Sequence, residues 1–213
     1  FICTPTIKWK GGGFKKKYIS KLFVDFSKQV FPHFNPLVDY WITFNEPTVY
    51  AMLTHIVGLW PSGFKRPAGC LGILNLGPLK DRAMRVQKHM SIAHNKVYTW
   101  MHQQDKQVKI SIAKNTAFYT GNSAISKIFS KIARRSFNYF FMSKVINHLD
   151  YIGINYYGAE HVKGLGVQIK DDEEYSEAGR AVSPNGLYKV IMDIHEKYNK
   201  EKKLPFFITE NGV

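Results

Sequence analysis

Two glutamates stand where carboxylate chemistry would place them. Glu46 follows Ile42-Thr43-Phe44-Asn45 and precedes Pro47, while Glu210 follows Phe207-Ile208-Thr209 and precedes Asn211-Gly212. Each closes a run rich in β-branched and aromatic residues, the make-up of a buried strand. At the C-terminal ends of parallel strands both carboxylates would lie on the edge where α/β folds bind ligands. Two carboxylates converging from distant strands suit cleavage of a glycosidic bond. One protonates the leaving oxygen and the other attacks the sugar carbon, with retention of configuration when they are about 5 to 5.5 Å apart. Each motif also has a plainer reading. Asn45-Glu46-Pro47 could open a helix with Asn45 as its N-cap, and Asn211-Gly212 could be a hairpin turn with Glu210 solvated.

The elements that must position these residues follow from pattern. Four stretches read as strands: Leu37 to Phe44, Val108 to Ala113, Leu149 to Tyr156 and Leu204 to Thr209. Helical spacing fills the intervals. Phe14 to Phe34 lines up Tyr18, Leu22, Phe23, Phe26, Val30 and Phe31 as an inward stripe with lysines opposite. Ala83 to Gln104 and Ser123 to Ile146 are the next helices, the latter basic and aromatic. Pro184 to Lys202 follows, with Ser183 as N-cap, Pro184 in the first turn, and Leu187, Val190, Ile191 and Ile194 inward. Strands alternating with long helices predict parallel βαβ units. Gly58 to Gly77 and Gly164 to Pro184 read as long loops, and loops of that length usually build a binding site. Four strands are too few for a closed barrel of about eight; they could form a small open sheet or half of something larger, and the last strand, ending near Val213, points to an internal piece.

Composition narrows the classes. With 45% hydrophobic and 22% charged residues the 213-residue chain has the make-up of a globular protein, not a disordered one. Apolar runs stop well short of the ~18 residues of a membrane span. The net charge of +14 suggests nucleic acid or an anionic surface as a partner. The basic runs Lys15-Lys16-Lys17, Arg134-Arg135 and Lys202-Lys203 lie on helix-like segments, without zinc-finger spacing or an aromatic RNA-binding motif, and read as solvated helix faces. The eight histidines (residues 33, 55, 89, 94, 102, 148, 161 and 195) show no HExxH-type spacing. Cys3 and Cys70 are far apart and read as free thiols. Gly11-Gly12-Gly13 lacks a P-loop ending and reads as a turn before a helix. Trp60 and Trp100 read as loop or core anchors.

WITFNEP (Trp41 to Pro47) and ITENG (Ile208 to Gly212) resemble the two signature motifs of glycoside hydrolase family 1, the β-glucosidase and β-galactosidase family with a (β/α)8 TIM barrel. Other stretches agree in order and spacing. Gly12 to Phe34 resembles the helix before the family's fourth strand, Gly58 to Gly63 (GLWPSG) the loop after it, and His94 lies in a segment resembling the next helix. LDYIGINYY (Leu149 to Tyr157) resembles the sixth strand and SPNGL (Ser183 to Leu187) the helix start before the seventh.

The resemblance implies a partial barrel, about strands four to seven, with residues 1–213 forming part of a single barrel domain. It implies Glu46 as general acid/base and Glu210 as nucleophile, which need opposite protonation states at neutral pH. It further implies Asn45 on the sugar 2-OH, Tyr157 donating to the nucleophile, Asn155 supporting the site from its strand end, and Asn115 on the leaving-group side. The expected reaction is retaining hydrolysis of terminal β-linked glucosyl or galactosyl units of a small β-glycoside or oligosaccharide, without metal or organic cofactor. Neither nucleic acid nor a membrane is expected as a partner, and the cytoplasm is the default compartment. One departure stands out: four residues before Pro5, where the family pattern HxxxP has His, the chain has Phe1. That feature favours a rival, a catalytically inactive sugar-binding or interaction protein; a basic nucleic-acid binder is the other rival.

Overall fold

The computed structural model describes residues 13–57, 59–60, 76–164, 166–177 and 179–212, with only the backbone of 76–81. Phe1, Cys3, Pro5, Gly11, Gly12, most of GLWPSG and Cys70 lie outside them. The chain divides into two compact units, residues 1–112 with 147–149, and residues 113–146 with 150–213.

In the first unit a helix over Tyr18–Phe34 leads into strand β1 (Tyr40–Asn45), a short helix over Pro47–Met52, a long helix over Leu76–Gln104 and the opening of strand β2 (Lys109–Thr120). The core is Val24, Phe31, Val97, Met101, Val108 and Ile110, with Phe23, Trp41, Tyr98 and Trp100 packed on it. Trp100 is thus a core anchor, its ring edge-on to Phe31 at 5.7 Å. The expected stripe on the first helix is out of phase. Ile19, Ser20, Val24, Ser27 and Phe31 are buried, whereas Tyr18, Leu22 and Phe26 are exposed. The two serines can face inward because each hydroxyl finds a backbone carbonyl. Ser20 donates to His89 O and Ser27 to Phe23 O, both at 2.8 Å, which removes the cost of burying them.

In the second unit β2 runs parallel to β3 (Ile152–Lys163), with Asn115 opposite Asn155. β3 in turn runs parallel to β5 (Phe206–Asn211), with Asn155 opposite Glu210 after a register shift. Strand β4 (Gly166–Gln168), which carries no alternating pattern, folds back antiparallel on the far end of β3. The four expected strands are present, and β2 and β3 run seven residues beyond their expected ends. The expected helix over Ser123 to Ile146 is broken into Ala124–Arg134, a π-helical turn and Met142–Val145. The last helix is Pro184–Ile194, with a π-helical turn over His195–Asn199.

Two details place β5 and the last helix. Buried Asn199 reads both backbone groups of Leu204, accepting from its N–H and donating to its carbonyl at 2.8 Å each, so the chain enters β5 in fixed register. Ser183 occupies the N-cap position of the last helix but makes no side-chain cap bond. Its carbonyl accepts from the Tyr156 hydroxyl at 2.8 Å instead. Gly186 sits over that contact, where an added Cβ would stand 2.2 Å from the hydroxyl oxygen. The helix turns Val190 and Ile194 into the core, as expected from its spacing.

Candidate active site

In the first unit, β1 ends on exposed Asn45 and half-buried Glu46 follows it. Glu46 has φ 49° and ψ 53°, the left-handed region, which costs a non-glycine residue roughly 1 kcal/mol or more. Glu46, not Asn45, therefore takes the N-cap position before Pro47. Its carbonyl accepts from Tyr50 N–H at 3.0 Å and starts the helix, while its carboxylate makes no cap bond. The plainer reading, a capping Asn45, is thus replaced by a strained turn that spends the Glu46 backbone on the helix. Buried Thr48, one turn position on, donates to Gln87 Oε1 at 3.0 Å and holds that helix start against the long helix. Beneath the strand end, Thr43 Oγ1 meets His94 Nδ1 at 2.6 Å and His94 Nε2 meets His148 O at 2.7 Å. Since a carbonyl only accepts, His94 carries its proton on Nε2 and accepts from Thr43, a fully buried structural imidazole.

The second unit sets Asn115, Asn155 and Glu210 at paired positions on the adjacent strands β2, β3 and β5, with Tyr157 two residues past Asn155 on β3. The Tyr157 hydroxyl donates to Glu210 Oε2, a charge-assisted bond of the stronger kind. Asn155 is fully buried and accepts from Thr209 Oγ1 at 2.5 Å, which fastens the residue before the carboxylate. Asn211 continues β5 opposite Tyr156, so the hairpin reading of Asn211-Gly212 fails.

Asn115 is oriented by a residue that the pattern of the sequence did not single out. Arg180 Nη1 donates to Asn115 Oδ1 at 3.0 Å and to Thr116 O at 3.2 Å, while Nε donates to Glu160 Oε1 at 2.9 Å. This fork sets the amide oxygen of Asn115 toward Arg180. Arg180 reaches it because Ala159 and Ala181 exchange backbone bonds at 2.8 and 3.2 Å. Gly158 permits that approach: at φ 141° an added Cβ would stand 2.3 Å from Ala181 O. Lys114, fully buried, donates to the carbonyl of Asn115 and lies 4.7 Å from the Phe137 ring centroid. Arg180 comes from the long loop expected after Gly164. A single arginine in a loop carries no periodic signal, so the sequence offered nothing to find it by.

The model of glycosyl hydrolase family 1 matches residues 4–146. This chain belongs to glycosyl hydrolase family 1. Among curated family-1 relatives, the chain is 34% identical over 210 residues to a chloroplastic β-glucosidase-like SFR2 of Oryza sativa subsp. japonica, covering 96% of this chain and 32% of that one. It is 36% identical over 207 residues to a chloroplastic galactolipid galactosyltransferase SFR2 of Arabidopsis thaliana, covering 95% and 32%. A β-glucosidase of Thermotoga maritima solved with deoxynojirimycin superposes with a TM-score of 0.77 at 22% identity, covering 96% of this chain and 51% of that one. The chain thus spans about a third of the length of the two relatives and about half of the solved enzyme. The fold expected from the sequence, part of a (β/α)8 barrel, is the fold of family 1.

Proposed function

We propose that the chain supplies the two carboxylates of a retaining β-glycosidase, Glu46 as acid/base and Glu210 as nucleophile. The observation that carries the proposal is the Tyr157 hydroxyl bound to the Glu210 carboxylate at the end of β5. A hydroxyl donor there holds the carboxylate in one orientation. In the first step the Glu46 carboxyl gives its proton to the glycosidic oxygen as the bond from C1 to that oxygen breaks, and a Glu210 oxygen bonds to C1. In the second step Glu46, now a carboxylate, takes a proton from water. The water oxygen bonds to C1, and Glu210 departs as a carboxylate. Asn45 is assigned to the 2-OH, a contact that tightens in the transition state. Asn155 is assigned to support of the strand end, and Asn115, held by Arg180, to the leaving-group side. The substrate is a terminal β-linked glucosyl or galactosyl unit.

A second reading is favoured by the Arabidopsis relative, a galactolipid galactosyltransferase. The same covalent intermediate would be taken by a hydroxyl of a second glycoside instead of water, and Glu46 would take that hydroxyl's proton. Product analysis of the full-length gene product on a chromogenic β-glucoside tests both. A β-configured product formed first, and lost in Glu210→Gln, is expected. Free sugar as the product supports hydrolysis, and a new disaccharide or glycolipid with added acceptor supports transfer. An α-configured first product would refute retention, and no turnover in folded protein would leave the sugar-binding rival.

A further inference from the structure

The helix over Ala124–Arg134 is amphipathic, yet it is mounted with its apolar side outward. Ile125, Ile128 and Ile132, at spacings of three and four, are 59%, 57% and 50% exposed. Ser126 and Ser130, on the opposite side, are buried. The mounting has physical causes. Ser123 caps the helix, its Oγ accepting from Ser126 N–H at 3.1 Å. Ser126 Oγ accepts from the N–H of Gly164 at 3.1 Å, which ties the helix start to the turn after β3. Phe137, one π-helical turn further on, is buried. Three isoleucines half or somewhat more in water forfeit roughly 1–1.5 kcal/mol each, so the face is one that a partner would cover.

Charge identifies the partner. Exposed Lys127, Lys131 and Arg135 alternate with the isoleucines. From Lys106 through Leu149 the chain contains no Asp or Glu, within a protein of net charge +14. An apolar stripe edged by cations matches a surface that is apolar beneath and anionic above, the headgroup layer of an anionic bilayer. Nucleic acid would reward the cations but not the isoleucines, and a solvated helix face, the expectation from the basic run, would not carry the isoleucines either. Among the described residues no helix is long and apolar enough to cross a membrane. The device is therefore a helix lying in the interface plane, which the expectation of no membrane partner, drawn from the lack of a spanning run, did not address.

We propose that the Ala124–Arg134 helix docks the protein on anionic lipid bilayers, with Ile125, Ile128 and Ile132 inserted and Lys127, Lys131 and Arg135 on the headgroups. The inference does not rest on the glycosidase reading. The test is co-sedimentation of the full-length protein with phosphatidylcholine vesicles, with and without phosphatidylglycerol, alongside hydrogen exchange of residues 124–135. Binding is expected only with the anionic lipid, together with protection of that segment. Each Ile→Ser substitution should weaken partitioning by roughly tenfold, and Lys127→Gln with Lys131→Gln by on the order of thirtyfold. These side chains are exposed, so unfolding temperatures should hold; if a variant misfolds, exchange protection in the parent still decides. Free glycerol phosphate should not compete, and competition would reassign the site to a soluble anion. Vesicle binding without protection of the helix, equal binding to an oligonucleotide that is indifferent to Ile→Ser, or a dimer that those substitutions dissolve would each overturn the proposal.

Discussion

The two glutamates are held by different means. The turn bearing Glu46 is fixed mainly by backbone, through a left-handed residue, a proline after it and a carbonyl committed to Tyr50 N–H, with one buried side-chain bond, Thr48 to Gln87, bracing the helix start. Glu210 is the next-to-last residue of a strand, and what holds it is side chains, the Tyr157 hydroxyl on its carboxylate and the Thr209–Asn155 bond beside it. A backbone-held residue keeps its position when neighbours are truncated, and the cost then appears in stability. A side-chain-held residue loses its orientation directly, and the cost appears in rate.

The largest test of this contrast replaces the glutamates themselves. Glu210→Gln should reduce turnover of a chromogenic β-glucoside to background. Glu46→Gln should cost on the order of 10²–10⁴ with a poor leaving group, and much less with a good one that needs no proton. Steady-state kinetics on paired substrates separates the two. Equal losses with both leaving groups would remove Glu46 from the acid role. Next comes Tyr157→Phe, which removes a hydrogen bond to a charged group worth about 1.5–3 kcal/mol. It should cut kcat roughly ten- to a hundredfold at little change in unfolding temperature. The reverse pattern is expected at the other glutamate: Thr48→Val leaves Gln87 Oε1 buried without its donor and should lower stability by about 1–3 kcal/mol, read by urea denaturation.

Much of this was legible in the sequence. The strand ends carrying Glu46 and Glu210 declare themselves through β-branched runs stopped by Pro and Gly, since burial in a parallel sheet demands such runs. Tyr157 came only through the family resemblance, because nothing in Asn155-Tyr156-Tyr157 says which ring faces a carboxylate. The phase of the first helix was misread because Tyr18, Leu22 and Phe26 weigh heavily as apolar residues, while Ser20 and Ser27 count as polar until their carbonyl partners are known. The Ala124–Arg134 helix teaches the same lesson more sharply: amphipathic spacing marks two faces and does not say which one is buried. Arg180 was invisible because its place depends on the close approach at Gly158.

The smallest expected effect is alkaline. Burial raises the Tyr156 phenol above its ordinary value, so the fold favours the protonated form. Its contribution is complete below the ordinary phenol range near pH ~10 and is lost as pH rises from there toward the folded value. Unfolding temperature should fall above that range, and Tyr156→Phe should flatten the fall; an identical slope in the variant would remove Tyr156 as its source.

The central claim, that Glu210 is the nucleophile, is tested most directly by a 2-fluoro β-glycoside with a good leaving group, incubated with the full-length gene product and followed by peptide mass spectrometry. The account predicts a stable adduct of one fluorosugar on the peptide containing Glu210, absent from Glu210→Gln. An adduct on Glu46 or on any other carboxylate would contradict it.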